Sequence, residues 1–367
     1  MSRVPFIDFT VQYKSLREEM RAAVDKVFET QQFVLKDRVD ELEKAIASKV
    51  GTKHAIAVAS GSDALYLSLW ALGVGPGDEV LTTPFTFFAT AGSIWRTGAK
   101  AVFADIDPRT FNLDPQKARK KISKRTKAIM PVHLFGQSCD MDAFTALSHE
   151  YSIPLVEDAA QSYGAAWGGR QTGSFGDTGC LSFFPTKNLG GAGDGGMITT
   201  SSDELAEKLR ILRVHGSKKK YFHDIVGINS RLDELQAAVL LVKLKYVDGW
   251  NNARRRLAAL YDKGLSGLPL QTPYAPPKAS PVHHLYSIQT ERRDELSQYL
   301  EKSGIGCGVY YPLPLHTQPC FRDLGFKTGD FPITEEMSKK VLSLPMYPEL
   351  SDEAVHSVVQ AVRLFFK

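Results

Sequence analysis

The chain has 367 residues, 43% of them hydrophobic and 23% charged, which matches ordinary globular proteins and excludes disordered and fibrous classes. Forty-five basic against 41 acidic residues leave a formal charge of +4, too mild for a nucleic-acid binder, which concentrates its basic residues in a stripe. Four scattered cysteines (Cys139, Cys180, Cys307, Cys320) form no CxxC pair and meet no histidine cluster, so neither a disulfide framework nor a metal site is expected.

No apolar run reaches membrane-spanning length. The N-terminal stretch passes into the charged segment 14–21 without the apolar core of a secretory signal, so a cytoplasmic location is expected. The run Lys218-Lys219-Lys220 reads as a solvated face, with attraction of a small anion as the other reading.

In chain order, helical patterns cover 16–28 and 38–50, the second closed by Gly51. A strand over 55–59 and a helix over 62–72 follow. Next come a strand at 79–82, a helix at 86–95 with Thr86 placed to cap it, a strand at 100–105 and a helix at 115–122. The alternation continues through 128–133, 141–150 and 154–157. Short apolar strands between helices predict a mainly parallel sheet covered on both faces. After Asp158 the pattern changes: strands at 179–184 and 196–200 are joined by a glycine-rich loop too short for a helical crossover.

Helices are then expected at 202–214, 232–247 and 251–265, the middle one started by the capping-box pattern Ser230-Arg231-Leu232-Asp233. The proline-rich stretch 271–280 reads as a linker. Beyond it, strands near 282–289 and 308–311 and helices at 292–303, 334–342 and 352–365 form an α+β unit. A large unit over 1–250 and a smaller one over 251–367 are therefore expected.

Several short segments carry chemistry. Gly61-Ser62-Asp63-Ala64 lies where a strand hands over to a helix, so free N–H groups and the helix dipole favour an anion; plain helix capping is the bland reading. Asp158 lies at the carboxyl end of an apolar strand, where ligands of α/β sheets gather. Such a carboxylate could keep a pyridinium nitrogen protonated, or could simply cap a turn. Glu157 carries no assignment beyond a structural one. Lys187 follows an apolar strand and a proline, where desolvation would free its amine for Schiff-base chemistry; an ordinary surface lysine is the alternative. The segment Gly190–Gly196 either lets backbone pass close to the site or forms a flexible hairpin.

Together these segments resemble the sugar aminotransferases of the DegT/DnrJ/EryC1/StrS group. The resemblance rests on Gly61-Ser62-Asp63-Ala64-Leu65, Thr86-Phe87-Phe88-Ala89-Thr90, Glu157-Asp158-Ala159-Ala160-Gln161, Ser182-Phe183-Phe184-Pro185-Thr186-Lys187 and the stretch from Gly227 to Ala238, in that order. It runs from Phe6-Ile7-Asp8 to Leu344-Pro345-Met346. The resemblance implies an α/β fold of the aspartate-aminotransferase type (fold type I), with a large, mixed, mainly parallel sheet domain and a smaller C-terminal α+β domain. It also implies pyridoxal 5'-phosphate as cofactor.

By the same resemblance, Lys187 would form the internal aldimine and shuttle the proton, Asp158 would pair with the pyridine nitrogen, and Gln161 would sit near the phenolic oxygen. Phe87 would stack on the ring. Gly61, the backbone amides of Ser62 and Asp63, and the Ser182 hydroxyl would hold the phosphate. Asn229 would reach the phosphate in the neighbouring subunit of a homodimer with shared sites, and Arg231 would meet the substrate's diphosphate. Tyr310 and Tyr311 would line the substrate loop; relatives often have His-Tyr-Pro where this chain has Tyr310-Tyr311-Pro312. At Lys36, relatives tend to have glycine.

The implied reaction transfers an amino group from L-glutamate to a nucleotide-linked keto sugar, with no nucleic-acid or membrane partner. Gln161 and the run 131–137 favour C3 of a 3-keto sugar; C4 of a 4-keto-6-deoxy sugar is the alternative. Retention of Lys187 argues against the related dehydratases, and a non-catalytic regulatory protein of the same fold is the remaining rival.

Overall fold

The computed structural model describes residues 3–367. Its centre is a sheet that begins with the strands His54–Val58, Gly196–Thr200, Thr178–Ser182 and Val156–Asp158, in that spatial order. Single parallel bridges, Ile129 to Leu155 and Val132 to Asp158, continue it into the parallel strands Thr126–Ile129, Glu79–Thr82 and Lys100–Phe103. Gly196–Thr200 runs antiparallel to both of its neighbours. The others are parallel, as the alternation of short apolar strands and helices predicts.

These strands are buried on both faces because helices cover both. On one side Gly61–Ala71 packs its Leu65, Leu67 and Leu69 with Val80, Phe103 and Ile198. On the other side Asp37–Val50 and Glu234–Leu244 enclose Ala57, Leu181 and Met197. A second core lies in the C-terminal unit. There the helices Val247–Leu265, Arg293–Lys302 and Asp352–Phe365 pack on the antiparallel pair Tyr286–Gln289 and Val341–Leu344. Val4 joins this second core and bridges to Ile305, so the N-terminal segment packs with the C-terminal unit. The helix Val247–Leu265 passes through position 250 unbroken: Val247 packs in the sheet core, while Leu257 and Tyr261 pack in the C-terminal one.

Several local expectations are corrected. Thr86 does not cap a helix: that helix starts at Phe88, with Phe87 at its cap position, and the Thr86 hydroxyl meets Thr90 at 3.0 Å instead. The pattern beginning at Ser230 makes no capping box. The helix starts at Glu234 without a side-chain cap, and Ser230 donates to Asp63 and accepts from the Ala59 N–H. Residues 308–311 form no strand, only a bridge from Gly308 to Ser343. The helix expected over 334–342 ends at Lys340, because Val341–Leu344 is drawn into a ladder with Tyr286–Gln289. Here tertiary pairing overrides a helical pattern. Within the expected linker, Ala279–Ser280 pairs with Ala166–Trp167. Among the described residues no helix is long and apolar enough to cross a membrane.

Candidate active site

The carboxyl ends of the parallel strands open onto a cavity of about 510 Å³. Its lining includes Gly61, Ser62, Phe87, Asp158, Gln161, Ser182, Lys187, Tyr310 and Tyr311. Asp63, Asn229 and Arg231 are not among the lining residues.

Lys187 is delivered by the turn that follows the strand Thr178–Ser182, where its N–H donates to the Phe184 carbonyl at 2.8 Å. That turn folds tightly because position 190 is glycine: a Cβ there would lie 2.3 Å from the Pro185 carbonyl oxygen. Two side chains from the helix Glu234–Leu244 hold the loop beyond it. Lys243 donates to the Gly190 carbonyl at 2.6 Å, and Gln236 accepts from the Ala192 N–H at 2.8 Å. Lys187 as a residue is half-buried, whereas its amino group is enclosed by protein. Burial lowers its pKa to about 8, opposed by the negative charge of Asp158.

Asp158 ends the strand Val156–Asp158, where alternation sends successive acids to opposite sides of the sheet. Glu157 faces the scaffold side. It is fully buried, accepts from the N–H groups of Gly173, Phe175 and Gly176 at 2.6–2.8 Å, and pairs with His133 at 2.9 Å. Asp158 faces the cavity, accepting from the Thr90 hydroxyl at 2.8 Å and the Ala160 N–H at 3.3 Å. Burial pushes its pKa up, partly offset by Thr90 and Ala160 and by the positive charge of Lys187.

Gln161 has its amide orientation fixed, since it accepts from the Phe135 N–H at 2.8 Å and donates to the Tyr311 hydroxyl at 3.0 Å. Burial raises the pKa of Tyr311, so this phenol stays protonated. Phe87 leaves 53% of its surface exposed, and its ring centre lies 6.3 Å from that of Tyr311. Tyr310 stacks on Phe6 at 5.9 Å, which ties the N-terminal segment to the mouth of the cavity.

The start of the helix Gly61–Ala71 closes the far wall. Glycine at 61 allows the helix to touch the end of the neighbouring strand, since a Cβ would stand 2.7 Å from the Ser182 Cβ. The Asp63 N–H is already donated to the Ser60 hydroxyl at 3.1 Å. In this conformation that N–H therefore serves the helix cap. The Gly61 and Ser62 N–H groups have no acceptor among the described residues, as expected of a first helical turn. The Asp63 carboxylate bonds Arg96 at 2.9 Å and Ser230 at 2.8 Å. Asn229 is exposed and Arg231 half-buried on the segment that follows.

Sequence reasoning missed His284, although a histidine inside the apolar run 282–289 was a signal. Buried beside the cavity, its Nδ1 lies 3.2 Å from the Asn188 Oδ1. Asn188 donates through Nδ2 to Asn251 and to the Val282 carbonyl, so its oxygen is the acceptor and His284 carries its proton on Nδ1. Burial, with the charges of Lys187 and Arg254, keeps this imidazole neutral. Asp194, inside the glycine run, also lines the cavity.

The model of the DegT/DnrJ/EryC1/StrS aminotransferase family matches residues 14–363. The chain belongs to this family. Among its relatives, a pleiotropic regulatory protein of Geobacillus stearothermophilus is 50% identical over 99% of both chains. A UDP-N-acetyl-3-dehydro-alpha-D-glucosamine 3-aminotransferase of Acidithiobacillus ferrooxidans is 42% identical over 98% of this chain and 97% of its own. The crystal structure of S. venezuelae DesV in complex with a ketimine intermediate superposes with a TM-score of 0.98 at 42% identity, covering 100% of this chain and 99% of that one. The large mixed sheet and the smaller C-terminal α+β unit are thus the aminotransferase fold of the family.

Proposed function

We propose that the protein is a pyridoxal-phosphate-dependent aminotransferase that carries an amino group from L-glutamate to C3 of a nucleotide-linked 3-keto sugar. The observation that carries this reading is the convergence on one cavity of an enclosed amine, Lys187, a buried carboxylate, Asp158, and an open helix start at Gly61 and Ser62. These residues fit the cofactor chemically. A phosphate needs unpaired donors, which the two N–H groups and the Ser182 hydroxyl offer. A ring nitrogen needs an acid partner, for which Asp158 is suited, and a ring face needs a flat apolar neighbour such as Phe87.

When bound, pyridoxal phosphate supplies an aldehyde for amine capture and a ring that takes up electrons. The chain's own residues do the rest. With a pKa near 8, the Lys187 amine is free often enough at neutral pH to attack, and later to move the proton at the carbon that bears the nitrogen. Asp158 holds a proton at the ring nitrogen. Gln161, pinned on both sides, offers a fixed amide edge to the ring's oxygen. Tyr310 and Tyr311 form the lip that meets the sugar.

Asn229 and Arg231 lie outside this protomer's cavity, which supports a homodimer in which they serve the neighbour, meeting its phosphate and the substrate's diphosphate. Exposed Val11, Tyr13 and Phe28 on the helix Thr10–Thr30 support burial against a second copy. The Acidithiobacillus relative, named for amination at C3, supports C3 over C4. The 50% identical regulatory protein supports a second reading, a regulator of the same fold.

Absorbance of purified protein with added pyridoxal phosphate separates the two readings. The enzyme reading expects a visible band that disappears in Lys187→Ala together with all turnover, and it is lost if no such band forms. Glutamate with a panel of 3-keto and 4-keto nucleotide sugars then reads the position: amination of the 4-keto compounds alone overturns C3.

A further inference from the structure

Two buried threonines stand behind Asp158, and the directions of their hydrogen bonds can be worked out. The Thr90 hydroxyl is 2.8 Å from Asp158 Oδ2 and 3.0 Å from the Thr86 hydroxyl. A carboxylate can only accept, so the single proton of Thr90 points at Asp158. The Thr90 oxygen must then receive the proton of Thr86. Thr86 lines the cavity and is 3% exposed, while Thr90 is 1% exposed. The chain Thr86→Thr90→Asp158 therefore runs one way, with its donor end turned inward and only lone pairs of Thr86 left for the cavity.

We propose that this two-hydroxyl relay is a positioning device that keeps Asp158 ionised and oriented, and so sets the pH range over which the site holds a protonated ring nitrogen. Without it the carboxylate would rest on one long bond, from the Ala160 N–H at 3.3 Å. The surroundings otherwise favour the neutral acid or act through space. Asp158 is enclosed, Cys180 faces it from the neighbouring strand as a thiol whose own pKa is raised by burial, and Tyr311 faces it as a neutral phenol. Lys187 is the nearby cation that favours the anion. His133 is occupied at both ring nitrogens, by the Cys139 N–H at Nδ1 and by Glu157 at Nε2 on the other side of the sheet, and Lys187 acts on the carboxylate only through space. Thr90 is then the remaining short donor to the carboxylate. Polarised by Thr86, it is a stronger donor than an isolated hydroxyl.

The inference rests on the reading of the cavity as a pyridoxal-phosphate site, and the test keeps the two apart. Wild type, Thr90→Val, Thr90→Ser and Thr86→Val are titrated with pyridoxal phosphate from pH 5 to 9, following the visible band and the dissociation constant, with thermal unfolding as a control for folding. Loss of the donor raises the Asp158 pKa, so the acid limb of binding moves to higher pH. We expect a shift of about one unit in Thr90→Val, equal to a tenfold loss of affinity on that limb. Thr90→Ser should restore wild-type behaviour, and Thr86→Val should shift the limb by less in the same direction. A wild type that binds pyridoxal phosphate while Thr90→Val keeps the same acid limb and affinity overturns the relay alone. A wild type that does not bind the cofactor at any pH overturns both. Should Thr90→Val not fold, Thr86→Val decides: an unmoved limb rejects the relay.

Discussion

Lys187 is an unfavourable residue to enclose, and the fold bears that burden for the sake of its amine. With burial lowering its pKa from 10.5 to about 8, the folded state gives up this proton before the unfolded chain does. Below about pH 8 the lysine is charged in both states and the destabilisation is complete; it fades as the pH rises from there towards 10.5. Lys187→Met should therefore stabilise the cofactor-free protein at pH 7, by up to about 3 kcal/mol. Denaturant unfolding at several pH values checks this: the gap between variant and wild type should narrow above pH 8, and a constant gap rejects the explanation. Lys187 drew notice in the sequence because a lysine after an apolar strand and a proline departs from the usual solvated position, although an ordinary surface lysine stayed the favoured alternative until the segments around Gly61 and Asp158 were set beside it. His284 was not, because its tautomer depends on Asn188 and Asn251, residues brought to it only by the tertiary fold.

Among the elements, the strand Val156–Asp158 does two jobs, one on each face. Glu157 ties down the turn at 173–176 through three N–H bonds, which fixes where the next strand, and hence Lys187, begins. Glu157→Ala should leave those donors and His133 without their shared acceptor, at about 3–5 kcal/mol of stability, measurable as a lowered unfolding midpoint. Glu157→Gln, which keeps an acceptor oxygen, should lose less; equal losses would mean that the carboxylate's bonds to the turn are not the cause. The strand–helix alternation was readable because each strand is short, apolar and bounded by turn residues. Val341–Leu344 was not, because its apolar residues continue a helical pattern and only the partner strand Tyr286–Gln289 makes them extended. Thr86 was misread for a related reason: a threonine before a helix usually caps it, and the competing partner, Thr90, is set by where the helix enters the core.

At the scale of the whole molecule, the proposed exchange of Asn229 and Arg231 between subunits makes a prediction that activity can test. Lys187→Ala and Arg231→Ala proteins, each inactive alone, should regain about a quarter of wild-type activity when unfolded and refolded together, because half of a random mixture is heterodimer and each heterodimer keeps one intact site. No recovery, with heterodimers demonstrated by tagging, would place Arg231 in its own subunit's site. Asn229 and Arg231 were found in the sequence by resemblance alone, since nothing in their spacing says which protomer they serve. The contacts of Asp63 add something further. Its carboxylate holds Arg96 and Ser230 together, so the helix start that would receive one protomer's phosphate is fastened to the segment that it lends away. In the proposed dimer neither site would be a private possession. The shape of each would be maintained by anchorage inside the other chain, and a mutation at position 63 would damage the borrower as well as the owner.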